Sequence, residues 1–453
     1  MTKITKDFDS ICAISSPPGK GGVALIRVSG LNSILLVDKI FSKSIKESNG
    51  YQIFYGNIIS KGEDIDDVIL TVFKNPQSFT GEDTVEINCH GSIFIQQKIL
   101  ALLCENGAKI AQPGEFSKRA FLNRKLDLSQ TEAIADLINS KSSAAHSLAI
   151  KQLKGGVSSE LKILRNKLIE FASLIELELD FSEEDVEFAD RKHLNELIQN
   201  LISHIDQLKK SFLYGNAIKN GVSTVIAGRP NAGKSTLLNN MLNEQRAIVS
   251  SIAGTTRDTI EEVLTINGTD FRLIDTAGIR KTSNEIEKIG VEKTLKKINQ
   301  SSIVIYIYDC AETKQQEVSK DLKKYIDNNI PYIVVANKID LQKNINEINK
   351  THFKTSLNNK DNIEDLKNLI YNLFDKQNIN NGDIVISNAR HFEALKLAHN
   401  ELIKVKKGLI ENKSGDLVAM DIRQILYYIG TITGEISSDE LLGNIFAKFC
   451  IGK

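Results

Sequence analysis

Eight consecutive residues, Gly228-Arg229-Pro230-Asn231-Ala232-Gly233-Lys234-Ser235, have the types and spacing that cradle a polyphosphate. Glycines let backbone N–H groups turn toward phosphate oxygens, and a helix starting there adds the partial positive charge of its N-terminus. Lys234 has the reach for β- and γ-phosphates, and the Ser235 hydroxyl suits Mg2+. The expected nucleotide contacts in this loop are Asn231, Ala232, Gly233, Lys234, Ser235 and Thr236. Three further pieces follow. Thr255-Thr256-Arg257-Asp258 reads as a switch whose Thr256 completes the Mg2+ shell. In Asp275-Thr276-Ala277-Gly278, Asp275 holds Mg2+ through water, and the Gly278 amide senses a γ-phosphate, with Thr276 between them. In Asn337-Lys338-Ile339-Asp340, the Asp340 carboxylate accepts hydrogen bonds from guanine N1 and the 2-amino group. Adenine offers no such donor pair, so the pattern specifies GTP.

These pieces need strands behind them. Val222–Ala227 is an apolar strand before the phosphate loop, and Leu237, Leu238, Met241 and Leu242 continue it as a helix. Phe271–Ile274 and Tyr332–Val335 are the strands before the other two motifs. Alternation of strands and helices from Gly221 to about 378 predicts a doubly wound, mostly parallel sheet. One position departs from the Ras-like pattern: the residue after Gly278 is Ile279, which cannot orient water as glutamine does. Arg280, Glu285 and Glu287 are the nearby candidates, and the residues alone do not choose among them.

The first ~120 residues read as one α+β domain, with strands at Ile11–Ile14, Val23–Val28, Tyr51–Ile59, Asp67–Phe73 and Thr84–Asn88. Helical spacing appears at Ile34–Phe41 and Ile95–Leu103. From Phe121, Leu161, Leu164, Leu168, Phe171, Ile175 and Leu179 draw one apolar stripe, and Leu194 through Phe212 a second, with Asp190 as its N-cap. The acidic stretch 183–190 reads as a solvated helix end. Helices return after Asn388, at His391–Asn412, Leu417–Ile429 and Ser438–Phe449. The α/β unit is therefore expected as an insertion in a helical domain. The expected domains are 1–120, 121–215, 216–379 and 380–453, the second and fourth being two halves of one helical domain.

Of 453 residues, 57 are Lys or Arg and 57 Asp or Glu, so formal net charge is zero and gives no bulk reason to expect a polyanion binder. Charged residues at 25% and hydrophobic ones at 41% exclude a wholly disordered or collagenous chain. The five cysteines are scattered without a C-x-x-C pair, which argues against a disulfide framework or a zinc knuckle. No apolar run reaches the ~18–20 residues of a membrane span, and the start MTKITKDFDS has no signal-peptide core. The expectation is a cytoplasmic protein.

Three segments outside the nucleotide motifs, together with the chain end, carry a resemblance. They are Pro17-Pro18-Gly19-Lys20-Gly21-Gly22-Val23 through Arg27-Val28-Ser29-Gly30, Ser78-Phe79-Thr80-Gly81-Glu82-Asp83, and Pro113-Gly114-Glu115-Phe116 through Ala120-Phe121-Leu122-Asn123. The end is Phe449-Cys450-Ile451-Gly452-Lys453. With the GTPase motifs, the chain resembles the tRNA-modification GTPase family MnmE, also called TrmE, over nearly its whole length. The resemblance implies a folate-binding, dimerising N-terminal domain, a two-part helical domain and an inserted Ras-like G domain. It implies a homodimer that works with the flavoprotein MnmG, as a heterotetramer, on C5 of the wobble uridine of certain tRNAs. The group installed is of aminomethyl type (carboxymethylaminomethyl), drawn from a tetrahydrofolate one-carbon unit, 5-formyl- or methylene-tetrahydrofolate, with GTP hydrolysis coupled to it.

By motif position the resemblance assigns K+ to Asn231 and to the loop Ser250–Thr255, including Ser250, Ile252 and Thr255. That cation places charge where other GTPases insert an arginine. Ser250 and Thr255 also fall among its nucleotide contacts. Glu287 matches the water-orienting acid, which answers the Ile279 departure. Arg27, Glu86, Lys125 and Lys453 match folate-contact positions. Cys450 has two readings, a structural thiol near the chain end and a thiol acting in the uridine chemistry, with no sequence-adjacent base to activate it. The guanine-supporting loop departs from its usual Ser-Ala and glycine form: here it reads Thr355-Ser356-Leu357-Asn358-Asn359, which weakens the assignment of Ser356.

Two other functions fit part of the sequence. A GTP-switched RNA or ribosome assembly factor would need a basic platform. Residues 121–215 hold 12 basic and 15 acidic side chains, and 380–453 hold 9 of each. A folate-binding protein with a vestigial G domain is opposed by the intact Lys234, Ser235, Asp275 and Asp340.

Overall fold

Residues that alternate between core and solvent build the first sheet. Its strands are β1 (Ile11–Ile14), β2 (Gly21–Ser29), β3 (Gln52–Ser60), β4 (Glu63–Phe73), β5 (Thr84–Gly91) and β6 (Lys109–Ile110), in the order β3-β4-β5-β2-β1-β6. Ala24, Ile26 and Val28 share a core with Val68, Leu70, Val72, Val85 and Ile87. Helices α1 (Ser33–Asp38) and α2 (Ile93–Glu105) add Ile34, Val37, Ile99 and Leu103 to it. Arg27 and Ser29 fall between these positions and so lie on the other face, as do Glu86 and Thr84. Strand β4 starts at Glu63, four residues before the apolar pattern indicated. Glu63, Asp64 and Asp66 hide it from a hydrophobicity reading. They are strand because Lys61 (φ 54°) and Gly62 (φ 86°) make a two-residue turn that pairs Glu63 with Ser60.

The chain is described here from a computed structural model covering residues 9–180, 191–243, 261–275, 296–325, 330–342, 348–360, 362–375, 384–411 and 413–452. It divides into two units: residues 1–138, 152–173 and 422–453 form one, residues 139–151 and 174–421 the other. In chain order, the segments that link the two sheets are α3 (Glu115–Leu122), α4 (Leu128–Asn139), α5 (Ser143–Leu153), α6 (Gly156–Asp180) and α7 (Arg191–Asn220). Leu161, Leu164, Leu168, Phe171 and Ile175 of α6 are buried, as their spacing predicts. Helix α7 runs past Phe212 because Ala217 and Ile218 continue a buried side into the second sheet's core. Asp190 and the acidic stretch 183–190 lie outside the described residues.

The second unit holds β7 (Val222–Gly228), α8 (Lys234–Asn243), β8 (Glu261–Ile266), β9 (Thr269–Asp275), β10 (Ile303–Asp309), α9 (Gln315–Tyr325), β11 (Tyr332–Asn337), β12 (Phe353–Lys354) and α10 (Ile363–Asp375). The order is β12-β11-β10-β7-β9-β8. Neighbours are parallel except β8 and β9, an antiparallel hairpin. Asn267 (φ 48°) and Gly268 (φ 76°) turn it. Parallel β7, β9, β10 and β11 therefore end on one side, where α/β sheets bind ligands.

Helices α11 (Ala389–Ile410), α12 (Gly415–Thr433) and α13 (Asp439–Phe446) follow. Helix α11 packs on α7, with Phe392 stacked on Phe212 at 4.4 Å. In the first unit, Leu442, Ile445 and Phe446 of α13 pack with Leu128, so chain segments far apart in sequence share a core. Helix α13 stops at Phe446, short of the expected Phe449, whose ring turns back to lie 5.2 Å from that of Phe446. The chain is a multidomain α/β protein.

Candidate functional site

Strand β7 ends at Gly228 (φ 151°), where a Cβ would run into the carbonyl oxygen of Ile307 on the neighbouring strand. The chain then passes through Asn231 in the left-handed region (φ 58°) and Gly233 (φ 101°) before α8 begins at Lys234. A Cβ on Gly233 would meet the Asn337 side-chain amide, so glycine is required by space as well as by φ. The Lys234 ammonium donates to the carbonyls of Gly228 (2.9 Å) and Arg229 (2.6 Å). Ser235 and Thr236 are exposed in the first turn of α8. Asp275 is the last residue of β9 and pairs in register with Ile226 of β7. A serine hydroxyl is an oxygen donor of the kind a hard cation such as Mg2+ takes.

Arg229 points out of the loop to α9. Its Nε donates to Asp321 (2.7 Å) and its Nη1 to Glu317 (2.8 Å), and the Tyr306 hydroxyl donates to the same Asp321 oxygen (2.7 Å). The hydrogen bond to Asp321 raises the guanidinium pKa further above its already high value. Burial opposes ionisation of Asp321, but the hydrogen bonds from Arg229 and Tyr306 outweigh it and lower its pKa.

On the base side, Asn337 closes β11 and is 3% exposed. Its Nδ2 donates to the Ala232 carbonyl (2.9 Å), and its Oδ1 accepts from the Leu357 N–H (3.1 Å). One side chain thus holds the phosphate loop and the 355–359 loop together. Lys338 adopts φ 63° and donates to Asp309 Oδ2 (2.6 Å), which raises its pKa. Asp309 also accepts from the Ala311 N–H (2.9 Å). The Ser356 hydroxyl donates to Asp340 Oδ1 (2.6 Å). Ser356 was weakly placed by its loop sequence, and the fold puts it against the carboxylate expected to read guanine. Asp309 was missed; its signal was an acid directly after the wholly buried run Ile303–Tyr308.

The first unit carries a second constellation. Arg27 faces Glu86 across β2 and β5, with Nε at 2.9 Å and Nη2 at 2.7 Å from Oε1. Phe79 and Phe116 lie 5.2 and 5.6 Å from the guanidinium carbon. The loop 78–83 beside it is pinned by charge. Arg119, 3% exposed, pairs with Glu82 (3.1 Å) and Glu115 (2.9 Å) and donates to the Asp9 carbonyl (2.9 Å). Ser29 donates to Glu82 (2.9 Å) and lies 2.7 Å from the Thr80 hydroxyl. Asn123 donates to the Thr80 carbonyl (2.8 Å) and Lys125, itself exposed, to that of Pro76 (2.9 Å). The chain end joins this unit: Ser15 donates to the Gly452 carbonyl (2.9 Å), and the Gly114 N–H to that of Cys450 (3.3 Å).

The fold therefore brings Arg27 and Glu86 into contact, with Lys125 on the adjoining loop. Ser250, Ile252, Thr255, Thr256, Thr276, Gly278, Arg280, Glu287 and Lys453 lie outside the described residues, as does the Asp275 side chain. The Cys450 thiol is exposed. Burial pushes Cys12 up to about 12 and Cys89 and Cys310 up to about 11, which disfavours their thiolates. Among the described residues, no group of three or more His, Cys, Asp or Glu is placed to hold a metal, and no helix is long and apolar enough to cross a membrane.

A glycine-bound phosphate loop opening a helix, a guanine-type Asn-Lys-x-Asp turn and a mostly parallel sheet beneath both define a P-loop GTPase. Residues 10–125 match the family described as GTP-binding protein TrmE N-terminus, and residues 128–450 match the MnmE helical domain. The tRNA modification GTPase MnmE of Cytophaga hutchinsonii is 48% identical, with 100% of this chain and 99% of that protein covered. Its counterpart in Flavobacterium johnsoniae is 47% identical, covering 98% of this chain and 99% of its own. That of Bacteroides thetaiotaomicron is 45% identical over the same shares. The chain belongs to the MnmE (TrmE) family. A solved structure of an Aquifex aeolicus Era variant is 24% identical over 40% of this chain, at a TM-score of 0.27 too slight a likeness to add to the argument.

Proposed function

We propose that this chain is a K+-stimulated GTP hydrolase that, with the flavoprotein MnmG, modifies C5 of the wobble uridine in certain tRNAs. Membership in a family whose relatives are named tRNA modification GTPases supports the tRNA role. The observation that carries the nucleotide reading is Asn337, which joins the phosphate loop to the loop presenting Ser356, whose hydroxyl donates to Asp340. Lys234 binds the β- and γ-phosphates, Ser235, Thr256 and Asp275 hold Mg2+, and Asp340 reads guanine. Asn231 and the loop Ser250–Thr255 hold K+, which supplies positive charge at the transition state. Glu287 orients water in place of the absent glutamine.

The Arg27–Glu86 pair beside Phe79 suits a folate derivative: an acid for the N–H edge of a pterin, a ring to stack on, and bases at Lys125 and Lys453 for a glutamate tail. The tetrahydrofolate supplies the one-carbon unit of the carboxymethylaminomethyl group. In this reading residues 1–120 are the folate-binding and dimerising domain, 121–215 and 380–453 the helical domain, and 216–379 the G domain. The protein works as a cytoplasmic homodimer with MnmG.

GTP hydrolysis in matched KCl and NaCl buffers, with Glu287→Ala as control, tests the catalytic half. Strong K+ stimulation that Glu287→Ala abolishes is expected. Equal slow rates in both salts would overturn the cation-assisted mechanism.

A further inference from the structure

The guanine-supporting loop of this chain lacks the small residue and the glycine its family usually places there, and the described structure shows what holds it instead. Its central residue, Leu357, is gripped at both backbone atoms. The N–H donates to Asn337 Oδ1 (3.1 Å), and the carbonyl accepts from Asn240 Nδ2 (2.6 Å). The Leu357 side chain is 2% exposed and lies in the core under the phosphate loop, its Cδ1 at 3.4 Å from where a Cβ on Gly233 would stand. The loop then closes without glycine, through Lys360 (φ 56°) and Asn362 (φ 60°). Asn240 sits on α8, the helix whose first turn carries Lys234 and Ser235. A hydrogen bond between helix and loop therefore ties the phosphate side of the site to its base side, independently of Asn337.

We propose that Asn240 is a positioning residue for guanine recognition, fastening the 355–359 loop to the phosphate-binding helix so that Ser356 holds the Asp340 carboxylate in line with the base. The inference rests on the GTP reading above and deepens it. Asn240 acts without touching the nucleotide. It acts through Leu357, one residue beyond Ser356, whose hydroxyl donates to Asp340 at 2.6 Å. Losing one such hydrogen bond is worth roughly fivefold in an equilibrium constant.

Calorimetric titration of GDP and IDP into the full-length protein reads this directly, because IDP lacks the 2-amino group that Asp340 accepts. Wild type is expected to prefer GDP. Asn240→Ala should weaken GDP about fivefold and IDP by less, because IDP keeps the N1–H but not the 2-amino partner of Asp340, so the GDP/IDP ratio narrows. Asn240→Asp, which sets an oxygen against the Leu357 carbonyl, should narrow it further. Equal weakening of GDP and IDP would mean that Asn240 merely supports the helix, and would overturn the proposal, as would an unchanged ratio in both variants. Absence of GDP binding by wild type would overturn the GTP reading itself, and the inference with it. Binding of wild type with the same GDP/IDP ratio in all three proteins overturns the inference alone.

Discussion

Around Asn337 the contacts that join the loops are between neutral groups: the Asn337 side chain donates to the Ala232 carbonyl and accepts from the Leu357 N–H, and the Asn240 amide donates to the Leu357 carbonyl. Around Arg119 and Arg27 they run from guanidinium to carboxylate, to Glu82, Glu115 and Glu86. Both regions fix a loop against a sheet. The neutral lock strands only uncharged groups when one partner goes. The ionic lock fixes a loop with long, exact reach, but removing one partner strands buried charge. The difference teaches that losing one partner should cost more at the 78–83 loop than at the nucleotide loops.

The comparison can be broken most decisively at Arg119. Arg119→Ala leaves Glu82 and Glu115 without their shared cation and should cost about 3–5 kcal/mol in the unit that contains it. Urea unfolding, followed by a probe in residues 9–138, checks this. A loss below about 1 kcal/mol would show that the ionic lock is no stronger than the neutral one.

Asn337→Ala should cost less, about 1–3 kcal/mol, as it unpairs the Ala232 carbonyl and the Leu357 N–H rather than a charge. The same urea experiment with a probe in the second sheet measures it. A loss equal to that of Arg119→Ala would erase the distinction.

The smallest effect concerns pH. His352 lies with Nδ1 3.0 Å from the Tyr308 hydroxyl, and burial lowers its pKa from 6.5. Below 6.5 the unfolded chain therefore binds a proton that the folded one resists, so stability should fall as pH drops through 6.5 toward the lower folded value. His352→Gln should flatten that part of the profile, as read by thermal melts from pH 7.5 to 5. An unaltered slope would assign the acid sensitivity to other groups.

Local spacing made the phosphate loop legible, since a tight turn that needs glycine at Gly228 and Gly233 leaves its mark within eight residues. The helical stripe of α6 was legible for a similar reason: its burial follows from one period. The Asn267-Gly268 hairpin carried a local signal as well, and the antiparallel β8 behind it was passed over because alternation elsewhere in that stretch pointed to parallel strands. Polar strand residues such as Glu63 and Asp64 gave no apolar pattern to read. Arg27 and Glu86 could be named by resemblance, but their pairing depends on the register of β2 on β5.

The sequence by itself determined that this chain binds a guanine nucleotide with a family-typical set of motifs, because those groups are presented by backbone turns a few residues long. Only the tertiary structure decided what holds the motifs to one another. Asn337 reaches Ala232 across 105 positions, Arg27 reaches Glu86 across 59, and Asn240 reaches Leu357 across 117. Such contacts follow from strand order and register, which the packing of whole sheets sets and no local pattern encodes.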